Sequence, residues 1–109
     1  MDGSRIISRG ALILVIDDEP TQRMLTHEAL IQRGYRVEEA DSGEAGLEIA
    51  RRLKPDLILL DVMMPGMDGP QTLAELQKLP CMTGVPVVFM TAKAQTQEVS
   101  SYRELGAAG

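Results

Sequence analysis

Apolar residues run along this chain in two rhythms. Some fall in unbroken runs: "ALILVI" at 11–16, "LILL" at 57–60 and "VPVVFM" at 85–90. Runs this short and this rich in branched side chains predict strands buried on both faces. "YRVEEA" at 35–40 alternates instead, which predicts a strand with one face more exposed. Between the runs the apolar spacing changes to three and four. Pro20 follows acidic residues that complement a helix dipole, and it opens a helix in which Leu25, Ala29 and Leu30 share a face. Gly34 marks the C-terminal end of that helix. Ser42 caps a second helix, where Gly46, Ile49, Ala50 and Leu53 recur at i, i+3, i+4 and i+7 before "KPD" ends it. Pro70 opens a third, with Leu73, Leu76 and Leu79 on one side, and a fourth is predicted over about 95–105.

The order is β-α-β-α-β-α-β-α. Strands alternating with short helices imply right-handed crossovers and a parallel sheet covered by helices on both faces, a three-layer α/β sandwich. In such sheets ligands bind beyond the carboxyl ends of the strands, where the strand order reverses. That rule singles out Asp17-Asp18 after the first strand, Asp61 after the third, and Thr91-Ala92 after the fourth. These ends should converge.

Composition narrows the picture. The 109 residues suit one domain, read as a tail over 1–10 and a folded unit over 11–109. Net charge is -5 and no run of Lys or Arg forms a basic stripe, which argues against direct nucleic-acid binding. Cys81 is the one cysteine, so no internal disulfide can form, and a cytoplasmic setting fits. Apolar runs of about six residues are far short of a membrane span, and "MDGSRIISRG" lacks the apolar stretch of a signal peptide.

The acidic strand ends carry the chemistry. Three carboxylates at one sheet edge repel each other, and without a partner at least one should bind its proton more tightly. A hard divalent cation removes the conflict. Mg²⁺ takes oxygen ligands, keeps several waters, and is usually held by one or two carboxylates together with phosphate oxygens. A threonine hydroxyl on a neighbouring strand end could donate to such a phosphate. Each feature alone has a plainer reading: an Asp pair starts a helix, and a lone Asp or Thr ends a strand. Their arrival at one place in this topology is what makes the combination specific.

These residues resemble the receiver domain of bacterial two-component response regulators. The match runs from about Leu12 to Gly109, through "LVIDDEP", "PDLILLDVMMPGMDG", "VPVVFMTAK" and "ELGAAG". The resemblance implies a flavodoxin-like sheet in the order 2-1-3-4. It implies that Asp61 accepts a phosphoryl group from a histidine kinase or a histidine phosphotransfer protein. Asp18 would ligate Mg²⁺ directly (with Mn²⁺ or Ca²⁺ as substitutes), Asp17 mainly through water, and the backbone carbonyl of Met63 would complete the protein ligands. Thr91 would follow the phosphoryl group on activation, and Ala92 would leave it room. An output domain or protein would act downstream, and the domain would be no enzyme beyond assisting its own phosphorylation and dephosphorylation.

The family also has a lysine at the end of a fifth strand, an aromatic switch residue in that strand, and a fifth helix. These should follow "GAAG" at 106–109, where this sequence stops, and Lys93 is on the wrong strand to replace the lysine. The expectation is a fragment with a weakened phosphorylation site, or a receiver used for protein interaction alone. Its fourth strand, "VVFM", would be an open edge able to dimerise or exchange elements between chains. Two other classes are weighed. A haloacid-dehalogenase-type phosphatase needs its nucleophile in a D-x-D after the first strand, where this chain has "DDE". A flavin module needs a Ser/Thr/Gly-rich phosphate loop there, and "DDEP" would repel a phosphate. His27 is read as a solvated helix residue, Cys81 as an unreactive thiol, and Met63, Met64 and Met67 as loop packing. Gly66 and Gly69 are read as turn residues at positive φ, and Pro70 as a helix opener.

Overall fold

A computed structural model describes residues 10–90. The elements are β1 (Leu12–Ile16), α1 (Pro20–Gln32), β2 (Arg36–Ala40), α2 (Gly43–Leu53), β3 (Leu57–Asp61), α3 (Gly69–Gln77), a 3-10 turn (Pro80–Met82) and β4 (Val87–Met90). The strands form a parallel sheet in the order β2-β1-β3-β4. Thr91, Ala92, Lys93, the fourth helix and the expectations about the outer edge of β4 fall on residues outside this range.

Two of the continuous apolar runs became the inner strands β1 and β3, while the third became β4, which pairs with β3 alone among the described strands and buries only Val87. Every residue of β1 is buried, as a strand paired on both edges and covered on both faces requires. Alternate residues Leu14, Ile16, Ile58 and Leu60 point into a core closed by Ala50, Leu73 and Leu76 from α2 and α3. β2 pairs with β1 alone among the described strands, and only Ala40 is buried in it, as its alternating sequence predicts. Asp56 stitches the entry to β3 onto β1. Its amide donates to the Leu12 carbonyl and its carboxylate accepts from the Leu12 amide, both at 2.8 Å.

The helices begin where their caps are. The Ser42 hydroxyl accepts the Ala45 amide at the start of α2. Asp68 and Gln71 form a reciprocal capping box at the start of α3, with Pro70 in its first turn. Gly34, at φ 92°, follows the end of α1 in the left-handed conformation expected of it. Lys54 takes the same role after α2 at φ 53°, a position where a residue other than glycine is uncommon. α3 ends at Gln77, so Leu79 packs on the core from the following turn rather than from the helix.

The predicted face of α1 is corrected. Leu25 is 56% exposed and Ala29 is also exposed. The half-buried positions are Arg23, Thr26, His27 and Leu30, so of the predicted face Leu30 alone turns inward. On that side Arg23 and His27 both meet Glu39 of β2. His27 is therefore a half-buried partner of a carboxylate and not a freely solvated side chain.

Candidate functional site

The sheet register builds the site. β1 and β3 are direct neighbours with Ile16 opposite Leu60. The next residue on each strand is an aspartate, so Asp17 and Asp61 emerge side by side from the carboxyl edge. Asp18 follows in the turn to α1. Carboxylate oxygens of Asp17, Asp18 and Asp61 all lie within 4.8 Å of one another. The ends of the first and third strands thus converge as topology predicts, while Thr91 and Ala92 lie outside the described residues.

The turns around the cluster are tightly bonded. Asp17 is buried; its amide donates to the Ala40 carbonyl at 3.0 Å, and its Oδ1 accepts the Glu19 amide at 2.9 Å. Glu19 accepts the Gln22 amide through its side chain and so caps α1. After β3 the loop folds back at once: the Val62 amide donates to the Met90 carbonyl and the Gly69 amide to the Val62 carbonyl.

Gly69 corrects one expectation. Gly66 does sit at positive φ, 74°, but Gly69 does not. A Cβ on Gly69 would lie 2.6 Å from the Asp61 carbonyl oxygen and 2.8 Å from the Val62 Cα. This glycine exists because the first turn of α3 touches the backbone of the strand end that carries Asp61. The methionines divide as well: Met64 is buried, Met67 packs against Gly43, and Met63 is 65% exposed.

The electrostatics single out Asp61. Its carboxyl is pushed from an ordinary 3.8 up to about 7, first by burial and then by the Asp17 charge. Hydrogen bonds shared with Asp18 and Asp17 add to the rise, and a bond from the Met63 backbone N–H opposes it. Gathered carboxylates raise the cost of ionising any one of them. The donor set is entirely oxygen, which suits Mg²⁺ and other hard divalent ions and not the softer ions that prefer thiolate or imidazole.

Sequence reasoning missed three contributors. Asp68 holds α3 against the site through its capping box, and "DGPQ" at 68–71 was a readable signal for it. Asp56 aligns β3 with β1, and nothing local announced that. Arg23 donates through Nη1 to the backbone carbonyl of Asp17 at 2.8 Å and through Nε to Glu39 Oε1 at 3.0 Å.

Comparison with known proteins agrees with this geometry. The family model described as response regulator receiver domain matches residues 13–109. The chain is 38% identical to protein PilH of Pseudomonas aeruginosa over 78% of its own length and 70% of that protein. It is 35% identical to sporulation initiation phosphotransferase F of Bacillus subtilis, over 87% of this chain and 75% of that one. In longer relatives it spans far less, 21% of a probable cyclic di-GMP phosphodiesterase of Vibrio cholerae. The solved structure of the chemotaxis protein CheY4 of Vibrio cholerae superposes with a TM-score of 0.84 at 27% identity, over 92% of this chain and 83% of that one. A family match across nearly the whole sequence, on a fold shared with solved members, means that this chain belongs to the response regulator receiver domains.

Proposed function

We propose that the chain is a Mg²⁺-dependent phosphoacceptor switch, with Asp61 as the residue that takes the phosphoryl group. The observation that carries this reading is the meeting of three carboxylates within 4.8 Å, with Asp61 at the strand tip pushed up to about 7. Asp18 and Asp61 would hold the ion directly, Asp17 mainly through water, and the backbone carbonyl of Met63 would complete the protein ligands. When bound, the ion supplies positive charge to the phosphoryl oxygens and lets Asp61 stay ionised at neutral pH.

The remaining work belongs to the chain's own groups. An Asp61 carboxylate oxygen attacks phosphorus in line, forming an acyl phosphate. The P–N bond of a phosphohistidine donor breaks, and its imidazole leaves with the electron pair and takes up a proton. The donor is a histidine kinase or a histidine phosphotransfer protein, and the charge added at Asp61 is read by an output domain or protein. Thr91 is the hydroxyl that follows the phosphoryl group, and Ala92 leaves it space.

The test uses intact-mass spectrometry after incubation with acetyl phosphate and Mg²⁺. Wild type should gain one phosphoryl group, and Asp61→Asn should gain none. Equal labelling of the two proteins would show that Asp61 is not the acceptor. Chelation of the divalent ion should abolish labelling of the wild type.

A further inference from the structure

We infer that Arg23 is a positioning residue for the acidic site, holding the peptide between Asp17 and Asp18 in the orientation that lets both carboxylates face Asp61. The inference rests on the reading of that site as a divalent-cation site.

The carbonyl of Asp17 and the amide of Asp18 belong to one rigid unit, and the two Cα atoms that carry the carboxylates stand at its ends. Whatever fixes that carbonyl therefore aims both side chains. At this point the ladder between β1 and β3 has ended, at the pair Ile16 and Leu60. The Asp17 amide is still tied to Ala40 on the β2 side. Its carbonyl is held by Arg23 Nη1 at 2.8 Å. Asp17 is 2% exposed, so a carbonyl deprived of this donor would be left poorly solvated.

The arginine is itself held. Its side chain is 19% exposed, unusually covered for a surface-helix cation. Nε donates to Glu39 Oε1, and His27 Nδ1 lies at 2.5 Å from the other Glu39 oxygen without good hydrogen-bond alignment. Two nitrogens of one planar fork thus reach a strand-end carbonyl and a carboxylate on β2. A lysine ammonium has no such fork. An exposed ion pair would contribute little by itself. What separates this one from a surface pair is its second bond, to the backbone of the site.

Charge and position predict opposite signs, which makes the inference testable. By Coulomb's law alone, a guanidinium this close to the cluster repels a divalent cation, so removing it should tighten binding. If Arg23 aims the ligands, removing it should weaken binding. The experiment is a calorimetric Mg²⁺ titration of the full chain as wild type, Arg23→Gln, Arg23→Lys and Glu39→Gln, with folding checked by circular dichroism. Arg23→Gln and Arg23→Lys should each raise the Mg²⁺ Kd about tenfold, the lower end of the effect of removing a group that orients a metal ligand. Glu39→Gln should raise it less, because the bond to Asp17 survives. In the metal-free protein, Arg23→Gln should also speed hydrogen exchange at the Glu19 amide, which donates to Asp17 Oδ1. Folded Arg23→Gln that binds Mg²⁺ as tightly as wild type, or more tightly, overturns the inference, as does unchanged exchange at Glu19. If Arg23→Gln does not fold, Arg23→Lys is judged by the same criteria. A wild type that binds no Mg²⁺ sinks the cation reading of the site and this inference with it; normal binding by the variants sinks this inference alone.

Discussion

A methyl group on Gly69 would meet backbone atoms on two sides, the Asp61 carbonyl oxygen and the Val62 Cα, neither of which can rotate away. Gly69→Ala should therefore destabilise the protein by about 1–3 kcal/mol, the usual range for forced overpacking, in urea unfolding followed by circular dichroism. The same change should slow phosphorylation, because relief of the clash displaces the strand end that carries Asp61. Asp61 itself governs a pH dependence. Its folded value of about 7 lies above the ordinary 3.8, so the folded metal-free chain holds this proton more tightly than the unfolded chain. The stability this contributes is complete below about pH 4 and is lost as pH rises through 7. Metal-free wild type should thus be less stable at pH 8 than at pH 5 from this group, and Asp61→Asn should remove that slope. Asp61 is partly exposed, and solvent screening reduces the gain of Asp61→Asn at pH 8 to something on the order of 1 kcal/mol.

At the scale of elements, α3 is the one whose start matters most for the site. Its capping box satisfies the Gln71 amide through Asp68 and the Asp68 amide through Gln71. Asp68→Ala should cost about 1 kcal/mol in the same unfolding measurement, with Asp68→Asn close to wild type. The packing of α2 depends on small residues in a similar way. A Cβ on Gly46 would lie 2.4 Å from the end of the Ile16 side chain, and one on Gly43 would lie 2.3 Å from the Thr72 hydroxyl. Ile16 is fully buried in the core, and its Cγ1 also lies only 2.8 Å from the Cβ on Gly46. The Thr72 hydroxyl is fully buried and bonded to the Asp68 carbonyl at 2.7 Å. Gly43→Ala and Gly46→Ala should therefore each lower the Tm, which thermal melts of both variants would show.

For the whole molecule, the proposed cation site would couple stability to divalent ions. A ligand that binds only the folded state at a hundred times its Kd stabilises by about 2.7 kcal/mol. Saturating Mg²⁺ should therefore raise the Tm of wild type and leave that of Asp61→Asn little changed, as scanning calorimetry would register. The Mg²⁺ Kd should also rise as pH falls below about 7, since a proton on Asp61 competes with the ion. Among the described residues no helix is long and apolar enough to cross a membrane.

The sequence by itself determined the order of the described elements, the fully buried first strand and the three aspartates, because period-two and period-3.6 patterns are local and a strand-end rule converts topology into a site. It carried Gly34 and Ser42 as helix boundaries for the same reason: a cap is satisfied within a few residues. Only the tertiary structure decided which side of α1 turns inward, the side on which Arg23 meets Glu39, 16 positions away on another strand. Only the structure separated Gly66 from Gly69, because a positive φ can be guessed from a turn while a close approach between α3 and β3 cannot. The bond from Arg23 to the Asp17 carbonyl was equally hidden. Spacing along a chain encodes which residues share a face, but the partner that face meets is set by distances between segments that folding alone brings together.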